Sequence, residues 1–535
     1  MHSSAIKINT LITPALVRYV QENEKRLKEL ETSNKTLQFE NLVLEEKLKL
    51  LTYNKFARSA EKVHQPSLFN EEETIETNSE TQPEEITEVK QHKRRKNPNA
   101  GRKAIDAKIP RVRREIDIDE SQKTCACTHE KTKIGEEISE KLHIIPMQIY
   151  VEQIARFKYA CRHCEGTADE DAKTVITAPV EPSIIPKGIA TAGLLSCIFT
   201  QKFEDHLPFF RQEKQFARIG VQISRQNMVN WQQMVYNKIK PLIELMQEMI
   251  KLGPVIKLDE TTVQVIGENG RSDTSNSYMW LSLGGLPDKP VALYRYRETR
   301  AGEHARKILE GYSGYLQTDG YIGYDSALKG NDKIIHVSCF AHARRKLFEA
   351  AQISKKAETA KEGIEYIKKL YVIESKLRKE YAEEENDDET KRTSKRDKFL
   401  NERKNLAVPV LAEFKAWLEK IKDEVPPKTL LGEAVEYILG QWEKLVRYLD
   451  SPYLTPDNNA CENAIRPFVI GRKNWMFCQS PAGAESSCGM YSLIQTAKLN
   501  GLNTFDYLKT LFEKAPFAST PEDWDKLLPW NIFKS

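Results

Sequence analysis

Between Val20 and Leu51 the apolar residues recur every seven positions, with Leu30, Leu37, Leu44 and Leu51 at d and Leu27, Asn34, Asn41 and Leu48 at a. A repeat of 3.5 predicts a helix whose apolar stripe meets another helix. Asparagine at a is tolerated where it pairs with its own copy, so residues 1–63 are expected to form a parallel two-stranded coiled coil. A single amphipathic helix packed on its own domain is the alternative. Past Lys62 the pattern disappears. Residues 70–90 carry eight Glu and one Lys with few large apolar residues, and residues 64–120 are expected to be a disordered linker.

Patterning returns with Ile144, Ile145, Ile149, Val151, Ile154 and Phe157, which predict a short sheet within a small module, 121–170. Residues 208–219 then read as a helix, Gly220-Val221-Gln222-Ile223 as a tight turn, and Ser224 as the N-cap of a second helix through Trp231. That spacing is helix-turn-helix, inside a helical region 180–250. Strand texture begins at Gly253, over 254–266, 277–284 and 291–297, and again over 314–318 and 333–339. A helix follows from Ala341, then about a hundred charged, helix-favouring residues over 351–450. Asp457 reads as the N-cap of a further helix that carries Glu462 in its first turns. The fold class is multidomain α+β.

The chain has 535 residues, enough for several domains. With 40% hydrophobic and 30% charged residues, no apolar run reaches the roughly eighteen residues of a membrane span. Met1-His2-Ser3-Ser4-Ala5-Ile6-Lys7 lacks a secretory signal pattern, so a cytoplasmic protein with reduced thiols is expected. A net charge of +4 conceals a local asymmetry, because residues 91–115 hold ten Lys or Arg against two acids. Arg94, Arg95, Lys96, Arg102 and Lys103 are candidate ligands for DNA phosphates; a solvated tether is the alternative. Arg225, Gln226 and Asn227 open the second helix of the helix-turn-helix, where side chains reach a major groove, although many such helix pairs are purely structural.

Nine cysteines include two close pairs, Cys125/Cys127 and Cys161/Cys164. Four thiolates at these spacings suit tetrahedral Zn²⁺, which can fold a module too small to stabilise itself. The first pair, C-x-C, is tighter than usual and leaves His129 and His163 as alternative ligands; unligated structural cysteines are the rival. Three carboxylates stand out further along. Asp259 interrupts a strand that is otherwise apolar, Asp319 follows the end of another, and Glu462 lies on the late helix, with Asp457 as its rival. An acid in such a strand needs a charged partner or a metal.

Asp259-Glu260-Thr261, Thr318-Asp319-Gly320-Tyr321, Cys339-Phe340-Ala341-His342-Ala343-Arg344-Arg345 and the run from Asp457-Asn458-Asn459 through Glu462 to Arg466-Pro467 resemble the signatures of bacterial DDE transposases of the insertion-sequence-66 family. The resemblance extends to the zipper, Arg58-Ser59-Ala60-Glu61-Lys62, the cysteine module, His206 to Glu213, and the tail around Tyr491 to Lys498. It implies a ribonuclease-H-like α/β core, 251–350 and 451–480, with a helical insertion, 351–450, and a C-terminal helical element, 481–535. In that core Asp259, Asp319 and Glu462 hold two divalent ions, Mg²⁺ or Mn²⁺, for cleavage and joining of DNA ends. Cys339 and His342 form a structural motif, and Arg344, Arg345, Arg466, Arg472 and Lys473 are candidate DNA-backbone ligands, with solvated or salt-bridged roles as the alternative. The implied partners are terminal repeats and target DNA, a second copy through the zipper, and accessory proteins of the same element; no membrane is involved. A non-catalytic DNA-binding protein and a metal-dependent nuclease are the rival readings.

Overall fold

The computed structural model describes residues 14–56, 148–160, 175–354, 356–384 and 386–534. The expected basic ligands Arg94, Arg95, Lys96, Arg102 and Lys103, and the cysteines Cys125, Cys127, Cys161 and Cys164, lie outside the described residues. Two compact units form, one of 75–180 and one of 1–74 with 181–535.

In the smaller unit, β1 (Lys158–Tyr159) pairs antiparallel with β2 (Ile176–Thr177). The short sheet expected across 144–157 does not form in its described part, 148–157. Val151, Ile154 and Phe157 are exposed there, because no strand or helix among the described residues covers them. The pairing falls just beyond, where Arg156 Nε donates to Ala178 O at 2.7 Å.

The larger unit begins with α1 (Pro14–Phe56). Its heptad leucines, Leu27, Leu30, Leu37, Leu44, Leu48 and Leu51, are all exposed, whereas Val43 and Glu46 on another face are buried. Glu46 accepts the backbone N–H of Leu430 at 3.0 Å, at the start of α10 (Leu430–Gly440). A carboxylate at a helix N-terminus satisfies an orphan donor and the helix dipole together. So α1 docks on its own body without using its leucine stripe.

Next come α2 (Ala192–Phe203), α3 (Phe209–Arg218) and α4 (Arg225–Met249). Ser224 caps α4 as its pattern predicts, accepting from Asn227 N at 3.2 Å, but the helix runs well past Trp231. Behind it stand β3 (Val255–Val265), β4 (Asn276–Leu286) and β5 (Lys289–Arg297), joined antiparallel. After α5 (Gly302–Ile308), the strands β6 (Gly314–Thr318) and β7 (Ile334–Ser338) add parallel to β3, with α6 (Ile322–Leu328) between them. The sheet order is β5-β4-β3-β6-β7, and a short β8 (Phe477–Cys478) extends it beside the far end of β3.

Strand alternation decides which core each residue joins. Met279 and Leu281 face α4, α12 (Asn459–Trp475) and α13 (Pro481–Leu499). Trp280 points the other way, with Ile256, Leu258 and Leu316, against α5 and α6. A further core holds α7 (Phe340–Ile353), α8 (Ala357–Glu380), α9 (Glu389–Glu424), α10 and α11 (Trp442–Val446) together. Within it Arg403 is fully buried, pairs with Glu374 at 3.0 Å, and donates to the carbonyls of Tyr448, Ser451 and Leu454. The helical insertion thereby fixes the loop that leads into α12. The chain closes with α14 (Thr504–Lys514) and α15 (Pro521–Asp525).

Candidate active site

The register of β3 and β6 pairs Lys257 with Gln317. Two residues further along come Asp259 on β3 and Asp319 just past the end of β6, near enough for Asp319 to repel the charge of Asp259. Asp259 Oδ1 accepts the Glu260 amide at 2.9 Å, and Asp319 Oδ1 accepts the Tyr321 amide at 3.0 Å. Gly320 between them leaves room for the α10 side chain Tyr437, whose hydroxyl would lie 2.3 Å from an added Cβ.

Glu462 arrives from α12 and is 3% exposed. Its helix is held by Asn458, whose side chain donates to Leu258 O on β3 and whose amide donates to Cys339 Sγ, each at 3.1 Å. The preceding loop is tied to the sheet by Lys257, which donates to Thr455 Oγ1 at 2.9 Å, and by Gln317, which donates to Thr455 O at 2.7 Å. The expected cap is corrected by one residue: Asn458, not Asp457, occupies the N-cap of α12. Asp457 instead accepts from the backbone and side chain of Asn459, because the two anchors on Asn458 set where the helix starts.

Burial first, then the repulsion of Glu260, Glu462 and Asp319, pushes the carboxyl of Asp259 well above the usual range. His342, in the first turn of α7, brings Nδ1 to 3.7 Å from Glu462 Oε1. Burial, then Arg345, lowers it to about 4, so the imidazole is neutral at pH 7. Ligand atoms of Cys339, His342 and Glu462 lie within 4.8 Å of one another. Burial, however, pushes the Cys339 thiol far up, and its sulfur is already an acceptor for Asn458. A protonated, hydrogen-bonded thiol is a poor metal ligand, and the oxygens of the neighbouring carboxylates are the better donors.

Two other groups at the site carry little signal in the chain. Glu260 has a side chain only 1% exposed and is gripped by the guanidinium of Arg300 and the hydroxyl of Tyr324. Arg300 also reaches Asp319 Oδ2 at 3.4 Å and lies 3.8 Å from the ring of Tyr321. In sequence Arg300 is one more charge in a polar turn, and Glu260 is an acid beside an acid. Only the adjacency of Glu260 to Asp259 marks it out.

The expected DNA ligands are scattered over the surface. Arg225, Gln226 and Asn227 are exposed at the start of α4, Arg344 and Arg345 are partly exposed on α7, and Arg466, Arg472 and Lys473 lie along α12. Arg472 is committed in part to the fold, donating to Thr262 Oγ1 of β3 at 2.9 Å.

The chain matches the Transposase IS66 family over residues 187–486. It belongs to the IS66 transposase family. Further matches of this IS66 transposase are to the IS66 C-terminal element over 492–530, the zinc-finger binding domain of transposase IS66 over 122–165, and the Transposase C of IS166 homeodomain over 43–114. Relatives in Sinorhizobium fredii include uncharacterized protein y4jD, 30% identical across 79% of this chain and 80% of that protein. Another is uncharacterized protein y4qI, 30% identical across 81% of this chain and 77% of that one. The IS66 membership makes DNA the partner and a divalent metal the expected cofactor class, with zinc suggested at the finger module. Among the described residues of this transposase no helix is long and apolar enough to cross a membrane.

Proposed function

We propose that this IS66 transposase cuts the ends of its element and joins the freed 3′-hydroxyls to target DNA, with Asp259, Asp319 and Glu462 as a DDE trio on a ribonuclease-H-like core. The observation that carries the reading is the convergence of these three carboxylates from β3, the end of β6 and α12, in a cluster where burial first, and then the repulsion of Glu260, Glu462 and Asp319, raises the pKa of Asp259. An antiparallel β5-β4-β3 ribbon continued by parallel β6 and β7 supports the fold assignment.

A crowded set of hard oxygens fits Mg²⁺ or Mn²⁺ and would be relieved by either. Asp259, Asp319 and Glu462 would hold the ions, which when bound supply Lewis-acid stabilisation to the attacking and leaving oxygens. The chain does the positioning. Its parallel register aligns the two aspartates, and Asn458 sets the helix that presents Glu462. Neutral His342 flanks that glutamate without adding a competing positive charge.

In this reading 251–350 and 451–480 form the core, 351–450 the insertion and 481–535 the C-terminal element. Residues 1–63 pair two copies as a coiled coil, 64–120 and 180–250 bind DNA, and Cys125, Cys127, Cys161 and Cys164 hold zinc in 121–170. The test is to incubate the protein with labelled DNA carrying the element ends, with Mg²⁺ or EDTA, beside Glu462→Gln. Cleavage and end joining are expected with Mg²⁺ alone, and neither in the variant. Specific binding without cleavage in both proteins would favour the non-catalytic reading.

A further inference from the structure

Arg300 lies in the turn between β5 and α5, and its guanidinium enters the carboxylate cluster from the solvent side. Its two anchors are unequal. Nε pairs with Oε1 of Glu260, a side chain 1% exposed whose second oxygen is taken by the Tyr324 hydroxyl. Tyr324 is itself buried and packed edge-on against Trp280. The second anchor is a single 3.4 Å contact from Nη2 to Asp319 Oδ2, on a side chain 23% exposed. Tyr321 lies under the guanidinium, so the group is held flat while its side chain stays 36% exposed.

A guanidinium carries five N–H donors, and an arginine with a purely structural task normally spends most of them on protein acceptors. Here only Nε and Nη2 have acceptors among the described residues, and the rest of the fork is free. A divalent ion on Asp319 would place its positive charge beside the guanidinium and repel it from its 3.4 Å contact with Oδ2. If an ion takes Asp319, the guanidinium loses its weaker contact but stays fixed by Glu260 and Tyr321. It then presents a planar set of donors beside the carboxylates, the geometry that matches two phosphate oxygens.

We infer that Arg300 is a catalytic residue that binds the scissile phosphate, anchored by Glu260 and released from Asp319 when divalent metal occupies that carboxylate. This rests on the proposed metal-binding role of Asp259, Asp319 and Glu462. Two consequences pull in opposite directions. Arg300 competes with metal in the free protein, and it supplies positive charge to the phosphate oxygens during the reaction.

The test uses the full-length protein as Arg300→Gln and Arg300→Lys, beside Asp319→Asn. Mn²⁺ binding is measured by calorimetry without DNA, and cleavage is measured separately on element-end DNA. Arg300→Gln is expected to bind Mn²⁺ about two- to fivefold more tightly, as suits removal of a partly exposed ion pair. It is expected to cleave at least about tenfold more slowly. Arg300→Lys keeps the charge without the fork, so its Mn²⁺ affinity stays near that of the parent while cleavage recovers only in part. Unchanged or weaker Mn²⁺ binding by folded Arg300→Gln, or parental cleavage rates, overturns the assignment. Where Arg300→Gln does not fold because Glu260 is left as a buried unpaired charge, the Glu260→Gln, Arg300→Gln double variant takes its place. If Asp319→Asn binds Mn²⁺ like the parent, the metal-site reading itself fails; if only the Arg300 variants miss their expectation, that reading stands.

Discussion

The backbone amide of Asn458 donates to Sγ of Cys339 at 3.1 Å, across 119 positions of the chain. Because the Asn458 side chain also donates to Leu258 O, one residue ties the start of α12 to the N-cap of α7 and to β3. Glu462 sits in the first turn of α12, so this tie fixes its place against Asp259. The pair Cys339-x-x-His342 thus divides its work: the cysteine holds a backbone, and the histidine one turn later faces the glutamate.

Cys339→Ala leaves the buried Asn458 amide without its acceptor, which costs about 1–3 kcal/mol. Urea unfolding measures the loss, and cleavage should fall with it because Glu462 is freed to shift. Cys339→Ser retains an acceptor and recovers part of both. Alanine behaving like the parent in both assays would remove the positioning role.

Asp259→Asn, Asp319→Asn and Glu462→Gln are each expected to slow strand cleavage by about a thousandfold or more, with DNA binding kept. A melting experiment adds an independent check. The pKa of Asp259 is raised by folding, so its contribution favours the fold at low pH and is lost as pH rises through the folded value. Metal-free Asp259→Asn should therefore melt above the parent at pH 7 and lose that advantage in acid. A variant that melts lower at pH 7 would contradict the crowding of the cluster.

His336 joins β7 to its surroundings through Thr318 Oγ1 at 2.8 Å and Asp325 Oδ1 at 3.1 Å. Burial first, and then Lys444, lower its pKa from 6.5 to about 4. The unfolded chain binds this proton more tightly, so stability falls as pH drops from 6.5 towards 4, by about 3 kcal/mol from this group. The difference between parent and His336→Gln, followed by urea midpoints across that window, should shrink in acid. A difference independent of pH would refute the assignment.

The leucine stripe of α1 is exposed while Val43 is buried and Glu46 holds the helix to α10. Leu37→Asp with Leu44→Asp should abolish dimerisation in sedimentation and weaken paired-end assembly, as should deletion of residues 20–51, without lowering the melting point of the body. Glu46→Ala should do the reverse, keeping the dimer and loosening α1 from the body. Unchanged sedimentation of the leucine variant would leave the stripe without a role in pairing.

Much of the architecture was legible in the chain because its signals are local. Ser224 caps α4 by a bond to an amide three residues away, and β3, β4 and β5 follow from runs of branched and aromatic residues between turns. The local pattern puts the cap of α12 one residue early, at Asp457, because Asn458 is chosen by partners 119 and 200 positions distant, which no local rule contains. Arg300 and Glu260 were missed for the same reason: a charged residue in a turn and one in a strand look solvated until the fold closes them on each other. The sequence specifies which carboxylates exist and where along each element they lie. That Asp259 stands beside Asp319, with Glu462 across from them, depends on a parallel register and a helix docked on the sheet, because contacts between distant segments form only when the whole core excludes water.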